Sequence, residues 1–144
     1  MRYRTASASS YPWPVRVVLA IYSACFLIGT YTHAAGILRR GLLASPVPVG
    51  IGVFWDALTL LDPLAAVLVW WRPRLGLPLA VAIMAADISV NSYVYVAGYF
   101  GPPAAGLVPL SLLEQALFGV FVFVTAPGVY GRNPSDASLA KHDS

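Results

Sequence analysis

Charged side chains are nearly missing from this sequence. Asp, Glu, Lys and Arg together make up 10% of the 144 residues, against 58% hydrophobic residues and a mean hydropathy of +0.72. A soluble domain usually carries about 25% charged residues, so the composition excludes an ordinary water-soluble domain and identifies an integral membrane protein. Cysteine is missing too, apart from Cys25. One thiol excludes a disulfide framework and any multi-cysteine metal site, and Cys25 reads as a small residue within an apolar helix. The net charge of +3 is too small and too dispersed to mark a nucleic-acid partner. The chain is also too short for two ordinary domains.

Motifs are absent in the same way. There is no G-x-G-x-x-G, P-loop, C-x-x-C, H-E-x-x-H or G-x-S-x-G, which removes the usual signatures of nucleotide, redox, zinc-hydrolase and serine-hydrolase chemistry. No Glu-x-x-His pair of the kind used by di-iron bundles is present either. No metal and no cofactor is expected. No internal repeat of the kind that marks many transporters is visible.

What is present is apolar sequence in four runs, each near the ~20 residues a membrane span needs. They cover about Val15 to Leu38, Val47 to Trp71, Leu75 to Gly98 and Ala104 to Ala126. "SPVP", "RPRLGLP", "FGPPAAG" and "APGVYGRNP" punctuate them with turn-forming residues. The expected architecture is all-α: a four-helix membrane bundle whose short loops make sequential helices antiparallel neighbours. Residues 1–14 form a retained tail rather than a cleaved signal, 15–126 the bundle, and 127–144 a polar tail. One side would hold Arg2, Arg4, Arg16, Arg72, Arg74, Arg132 and Lys141, and the other only Arg39 and Arg40. Positive residues favour the cytoplasmic face, so both termini are expected in the cytoplasm of a bacterial-type plasma membrane or an endomembrane. Trp13, Trp70, Trp71, Tyr99 and Tyr130 would mark the interfaces.

The acids are placed against expectation. Of six, only Asp136 and Asp143 lie in the tail; Asp56, Asp62, Asp87 and Glu114 all lie within spans. A charged group at the bilayer centre costs about 2.5–3.5 kcal/mol even on the mild insertion scale. By helical rise, Asp87 and Glu114 fall near mid-span, with Asp56 and Asp62 roughly 4–5 Å to either side of the midplane. Asn91 is one turn from Asp87 on the same face and Tyr95 continues it. Gln115 adjoins Glu114, and His33 lies in the first span. Such groups must point into the bundle to find partners. They predict a polar pocket walled by Tyr22, Tyr31, Phe54, Trp55, Met84 and Phe118. Pro63 removes a backbone donor and frees the Thr59 carbonyl, which would turn Asp62 toward that pocket. Carboxyl groups crowded away from water cannot all ionise. Some therefore hold protons, which suits general-acid chemistry on an apolar substrate, with His33 as counter-ion or relay.

These segments resemble the EXPERA group, the family of the emopamil-binding sterol isomerase and its receptor relatives. "TYTHAAG" (30–36), "WDALTLLDPLAAVLVWW" (55–71), "ADISVNSYVYV" (86–96) and "LEQALFGVFVFVTAPG" (113–128) are similar to its four helix motifs, over about residues 26–128. The resemblance implies a four-span fold in which His33, Asp56, Asp87, Asn91 and Gln115 line a pocket. There a sterol-like amphiphile is bound, or isomerised by protonation of a double bond and loss of a nearby proton. The acid-to-Pro spacing is shorter here, Asn91 stands where the isomerases would have an acid, and Glu114 has no counterpart.

The expected function is therefore a membrane enzyme protonating an isoprenoid or sterol-like substrate, by isomerisation, cyclisation or epoxide opening. Asp56, Asp62, Asp87, Glu114 and His33 would carry the chemistry, and Asn91, Gln115, Trp55, Tyr95, Tyr22 and Phe118 the substrate. A proton-coupled carrier for lipophilic cations is the alternative, and a non-catalytic binding or assembly subunit a third. Expected partners are a lipophilic small molecule and membrane lipid. Small residues such as Gly29, Gly36, Ala116 and Gly119 would let a partner helix pack closely, including one from a homodimer.

Overall fold

A proline stands at the start of every helix in the computed structural model, which describes residues 11–102 and 108–131. Helix α1 spans Trp13–Arg40, α2 Val49–Trp71, α3 Pro73–Val96 and α4 Leu110–Tyr130. Pro12, Pro48 and Pro109 cap α1, α2 and α4, and Pro73 is the first residue of α3. A proline has no N–H to leave unsatisfied at a helix start, and its φ is already set for the turn. Its carbonyl then accepts the first helical bond, as from Arg16 N to Pro12 O (3.2 Å) and Leu113 N to Pro109 O (3.1 Å).

All four helices are long and apolar enough to cross a membrane, and no strand occurs among the described residues. The chain is an all-α integral membrane protein. α1 packs on α2, α2 on α3 and α3 on α4, whereas α1 and α4 meet only over a short stretch. Leu27, Ile28, Leu60, Trp71, Leu117 and Val124 are exposed. In water that would be a liability, but lipid is their natural solvent.

Three boundaries differ from the sequence reading by about two residues, and the fourth by more. α4 begins at Leu110, not near Ala104, and runs to Tyr130 rather than stopping at Ala126. Pro109 sets that start, and Pro127 sits inside the helix instead of ending it. Pro63 and Pro78 are likewise internal to α2 and α3. The expected tails 1–10 and 132–144, with Arg2, Arg4, Arg132, Asp136, Lys141 and Asp143, lie outside the described residues, as do residues 103–107.

Arg72 alone separates α2 from α3. So tight a corner needs Gly76, where a Cβ would collide with the backbone of Leu68 and Val69. Gly76→Ala should therefore destabilise the bundle by about 1–3 kcal/mol, the usual cost of overpacking, as a lowered denaturation midpoint in detergent. An unchanged midpoint would contradict this corner geometry. Two small residues expected to receive a partner helix are used within the chain instead. A Cβ on Gly119 would strike Ile88, and one on Gly29 would stand 2.5 Å from Asp62 Oδ2.

Candidate functional site

Four residues from three helices form one hydrogen-bonded clasp. Trp55 of α2 donates from Nε1 to Asn91 Oδ1 (3.0 Å). Asn91 of α3 donates from Nδ2 to Asp87 Oδ1 (2.8 Å), one turn back on its own helix, and to Gln115 Oε1 of α4 (3.2 Å). Gln115 Nε2 donates to Asp87 Oδ2. The polarity of this ring is set from one end. An indole N–H can only donate, so Asn91 must turn its oxygen to Trp55 and its amide nitrogen to Asp87 and Gln115. Gln115, having accepted, turns its own nitrogen to Asp87. Both Asp87 oxygens then act as acceptors, which is what an ionised carboxylate offers. Asn91 has both N–H groups engaged.

The clasp faces a cavity of about 880 Å³. Its wall takes Cys25, Phe26, Ile28, Gly29, Thr32 and His33 from α1, Trp55 and Asp62 from α2, and Ile83, Met84, Asp87, Asn91, Val94 and Tyr95 from α3. Ser111, Leu112, Glu114, Gln115 and Phe118 from α4 complete it. Phe100 stacks on Trp55 (centroids 6.1 Å apart) and roofs the cavity with Gly101 and Pro102. No Lys or Arg is among these lining residues.

Depth follows from the Trp55–Asn91 bond, which puts those two residues at one level. At ~1.5 Å per residue, Asp87 lies roughly 6 Å and Asp62 roughly 10 Å further toward the α2–α3 corner. Asp62 thus sits on the cavity floor, beside the apolar tier of Phe26, Ile83, Met84 and Phe118. It is 4% exposed, and its carboxyl lies directly against Gly29. Unlike Asp87, it has no hydrogen-bond partner among the described residues. It is near enough to Asp87 to interact with it electrostatically.

The cavity has a side door. α1 and α4 close on each other where the Tyr22 hydroxyl donates to Val122 O (3.0 Å) and pairs with Thr125 Oγ1 (2.7 Å), and where Phe26 meets Phe118 edge to face. Beyond Phe26 toward Arg40 the cavity lies between the two helices. Its rim there is Ile28, Thr32, Ser111 and Glu114, all exposed. The opening runs from Ile28, twelve residues or roughly 18 Å from the end of α1, to Ser111 in the first turn of α4.

The structure brings together His33, Trp55, Asp62, Asp87, Asn91, Tyr95, Glu114, Gln115 and Phe118 around this cavity. Several expectations need correction. Tyr22 does not line it: fully buried, it is the α1–α4 fastener, with Phe118 and Phe121 edge-on to its ring. Asp56 does not line it either. Its Oδ2 accepts the Leu43 amide (2.8 Å) and holds the α1–α2 loop, where Leu43 adopts φ 56°. Glu114 is not at mid-span. With α4 starting at Leu110 it lies in the second turn, exposed at the rim. Tyr31 and Phe54, expected in the wall, do not line it: Tyr31 is 70% exposed, and Phe54 packs against the apolar core. Thr59, freed by Pro63, is not among the lining residues, and its buried hydroxyl lacks a partner. Sequence reasoning missed Gly29 and Cys25 as lining residues. The seven-residue step Tyr22–Gly29 places Gly29 on the inward face, a signal that was available.

Tyr22→Phe should cost about 0.5–1.5 kcal/mol of stability and leave ligand binding in the cavity intact. Lost binding at preserved fold would return Tyr22 to the site. Among the described residues no cluster of three or more His, Cys, Asp or Glu is arranged to hold a metal ion. Comparison with protein-family models, curated proteins and solved structures found no match.

Proposed function

We propose that this chain is a membrane-embedded acid–base enzyme acting on a lipophilic isoprenoid or sterol-like substrate, by isomerisation, cyclisation or epoxide opening. One observation carries the reading. A cavity of about 880 Å³ inside an apolar bundle holds Asp62, Asp87 and His33 on its wall and Glu114 at its rim, with no Lys or Arg among the lining residues. Ligand pockets fall at about 300–1,000 Å³, room for a molecule of sesquiterpene to sterol size. Hydroxyls and amides would bind helices together at lower cost than carboxyls, so the acids call for a chemical use. Their use here is to supply a proton to a C=C bond or epoxide and to face the resulting cation with negative charge. The opening between α1 and α4 admits a substrate dissolved in the bilayer. The motif resemblance to the EXPERA group points toward the same substrate class. The excess of Lys and Arg on one side of the sequence supports cytoplasmic termini in a plasma membrane or endomembrane.

The test is solvent-deuterium incorporation. The full chain is reconstituted in phosphatidylcholine nanodiscs in D₂O with farnesol, geranylgeraniol, squalene, squalene epoxide and a Δ8-sterol as probes. Carbon-bound deuterium in recovered probe or product, or a ring-opened or cyclised product of squalene epoxide, read by mass spectrometry, is expected for at least one of them. No labelling and no product, together with uptake of a lipophilic amine into proteoliposomes driven by a proton gradient, would replace the enzyme with the carrier. Neither signal would leave a binding subunit.

A further inference from the structure

The two innermost carboxyl groups of the cavity stand in opposite surroundings. Asp87 accepts an amide N–H on each oxygen, in a ring whose direction is dictated by the donor-only indole of Trp55. Asp62 has no N–H or O–H donor among the described residues, is 4% exposed, and lies against a bare glycine backbone beside an apolar tier. An acceptor satisfied by two donors keeps its negative charge, whereas a carboxyl largely withdrawn from solvent, with no donor and a neighbouring anion, keeps its proton. Two carboxyls in one site with environments this unlike divide the acid and base roles between them.

We propose that Asp62 is the proton donor of the site and Asp87 its ionised counterpart, so that the bond attacked lies at the cavity floor. This rests on the acid–base reading above. For an alkene substrate the step balances within the pair. The π electrons take the proton from Asp62, forming a C–H bond and a tertiary carbocation and leaving Asp62 as carboxylate. Asp87 stabilises the cation and removes a proton from a carbon directly bonded to the cationic centre, other than the one just protonated. That C–H electron pair becomes the new double bond, and Asp87 is left as the acid. The proton then returns from Asp87 to Asp62 across the roughly 4–5 Å of depth that separates them. No oxidant, reductant or co-substrate is needed. Asn91, with both N–H groups engaged, is a positioning residue: it holds Asp87 ionised and does not touch the reacting carbons.

The substrate class narrows accordingly. The reacting bond must reach the tier of Phe26, Ile83, Met84 and Phe118, roughly 10 Å below the Trp55 level. A molecule whose only alkene adjoins a polar head seated at Trp55 would be turned over poorly. One with a trisubstituted alkene several bonds down an apolar body would fit.

Infrared spectroscopy of the full chain in phosphatidylcholine nanodiscs at pH 7, with ¹³C-labelled aspartate, reads this division without any substrate. A protonated-carboxyl C=O band that carries the isotope shift is expected in the wild type. It should vanish in Asp62→Asn, persist in Asp87→Asn, and persist displaced, without the isotope shift, in Asp62→Glu. The last variant guards against a merely unfolded Asn protein. A band absent from the wild type, retained by Asp62→Asn, or lost only in Asp87→Asn overturns the assignment. Failure of the functional reading looks different: deuterium then enters no probe in any variant, whatever the infrared result.

Discussion

Asp62→Asn should abolish turnover, with kcat on the labelled isoprenoid probe falling at least about a hundredfold and KM changing little. General-acid catalysis is worth about 10²–10⁴-fold, and an amide of the same shape has no proton to give. The substitution sits where the cavity wall is tightest, with the carboxyl against Gly29, and only an isosteric change leaves that contact undisturbed. Asn gains an NH₂ group for which no acceptor waits, so a stability loss of about 1–3 kcal/mol is expected alongside. Activity within tenfold of wild type in a folded Asp62→Asn protein would remove the floor carboxyl from the chemistry.

The second large effect is expected at Asp87, for a different reason. Asp87→Asn removes a charge and also inverts a donor–acceptor pattern that three helices share. Asn91 Nδ2 and Gln115 Nε2 both donate to this carboxylate. An amide presents one oxygen and one NH₂ group, so one of the two donors must then face another donor. Flipping Asn91 does not relieve the conflict: one atom of its amide faces both residue 87 and Gln115, so a flip only moves the mismatch, and its oxygen is in any case claimed by the Trp55 indole. A kcat loss of about 10²–10⁴-fold is expected, as for any lost proton acceptor. A fall in stability of about 1–3 kcal/mol should accompany it, from an unpaired buried group. Glu114→Gln serves as the contrast. That side chain is exposed at the cavity rim, and less than a tenfold change is expected.

The pair Asp87 and Asn91 was legible in advance because their relation is local. A four-residue step on one helix aligns two side chains whatever the rest of the chain does. The same holds for the four apolar runs, since their length and composition alone place them in lipid. Glu114 shows where that kind of reading stops. Its apparent depth depended on where α4 begins, and two Gly/Pro clusters around 101–109 offered more than one start. Moving the start from 104 to 110 carries Glu114 roughly 9 Å toward the helix end. Asp56 shows a second limit. The Leu43 amide that it accepts belongs to a loop thirteen residues away, and no spacing rule announces a side chain-to-backbone bond across a turn.

The sequence by itself determined that this protein is a four-helix membrane bundle, because four apolar runs of that length find their solvent in lipid. Which acids meet was decided by the tertiary structure alone. Each residue added to a helix turns a side chain by about 100° and lifts it about 1.5 Å, so partnership across helices depends on relative rotation and register that no single helix encodes. That is why Asp87 acquired two amide donors, Asp62 acquired none, and Tyr22 left the cavity to fasten α1 to α4.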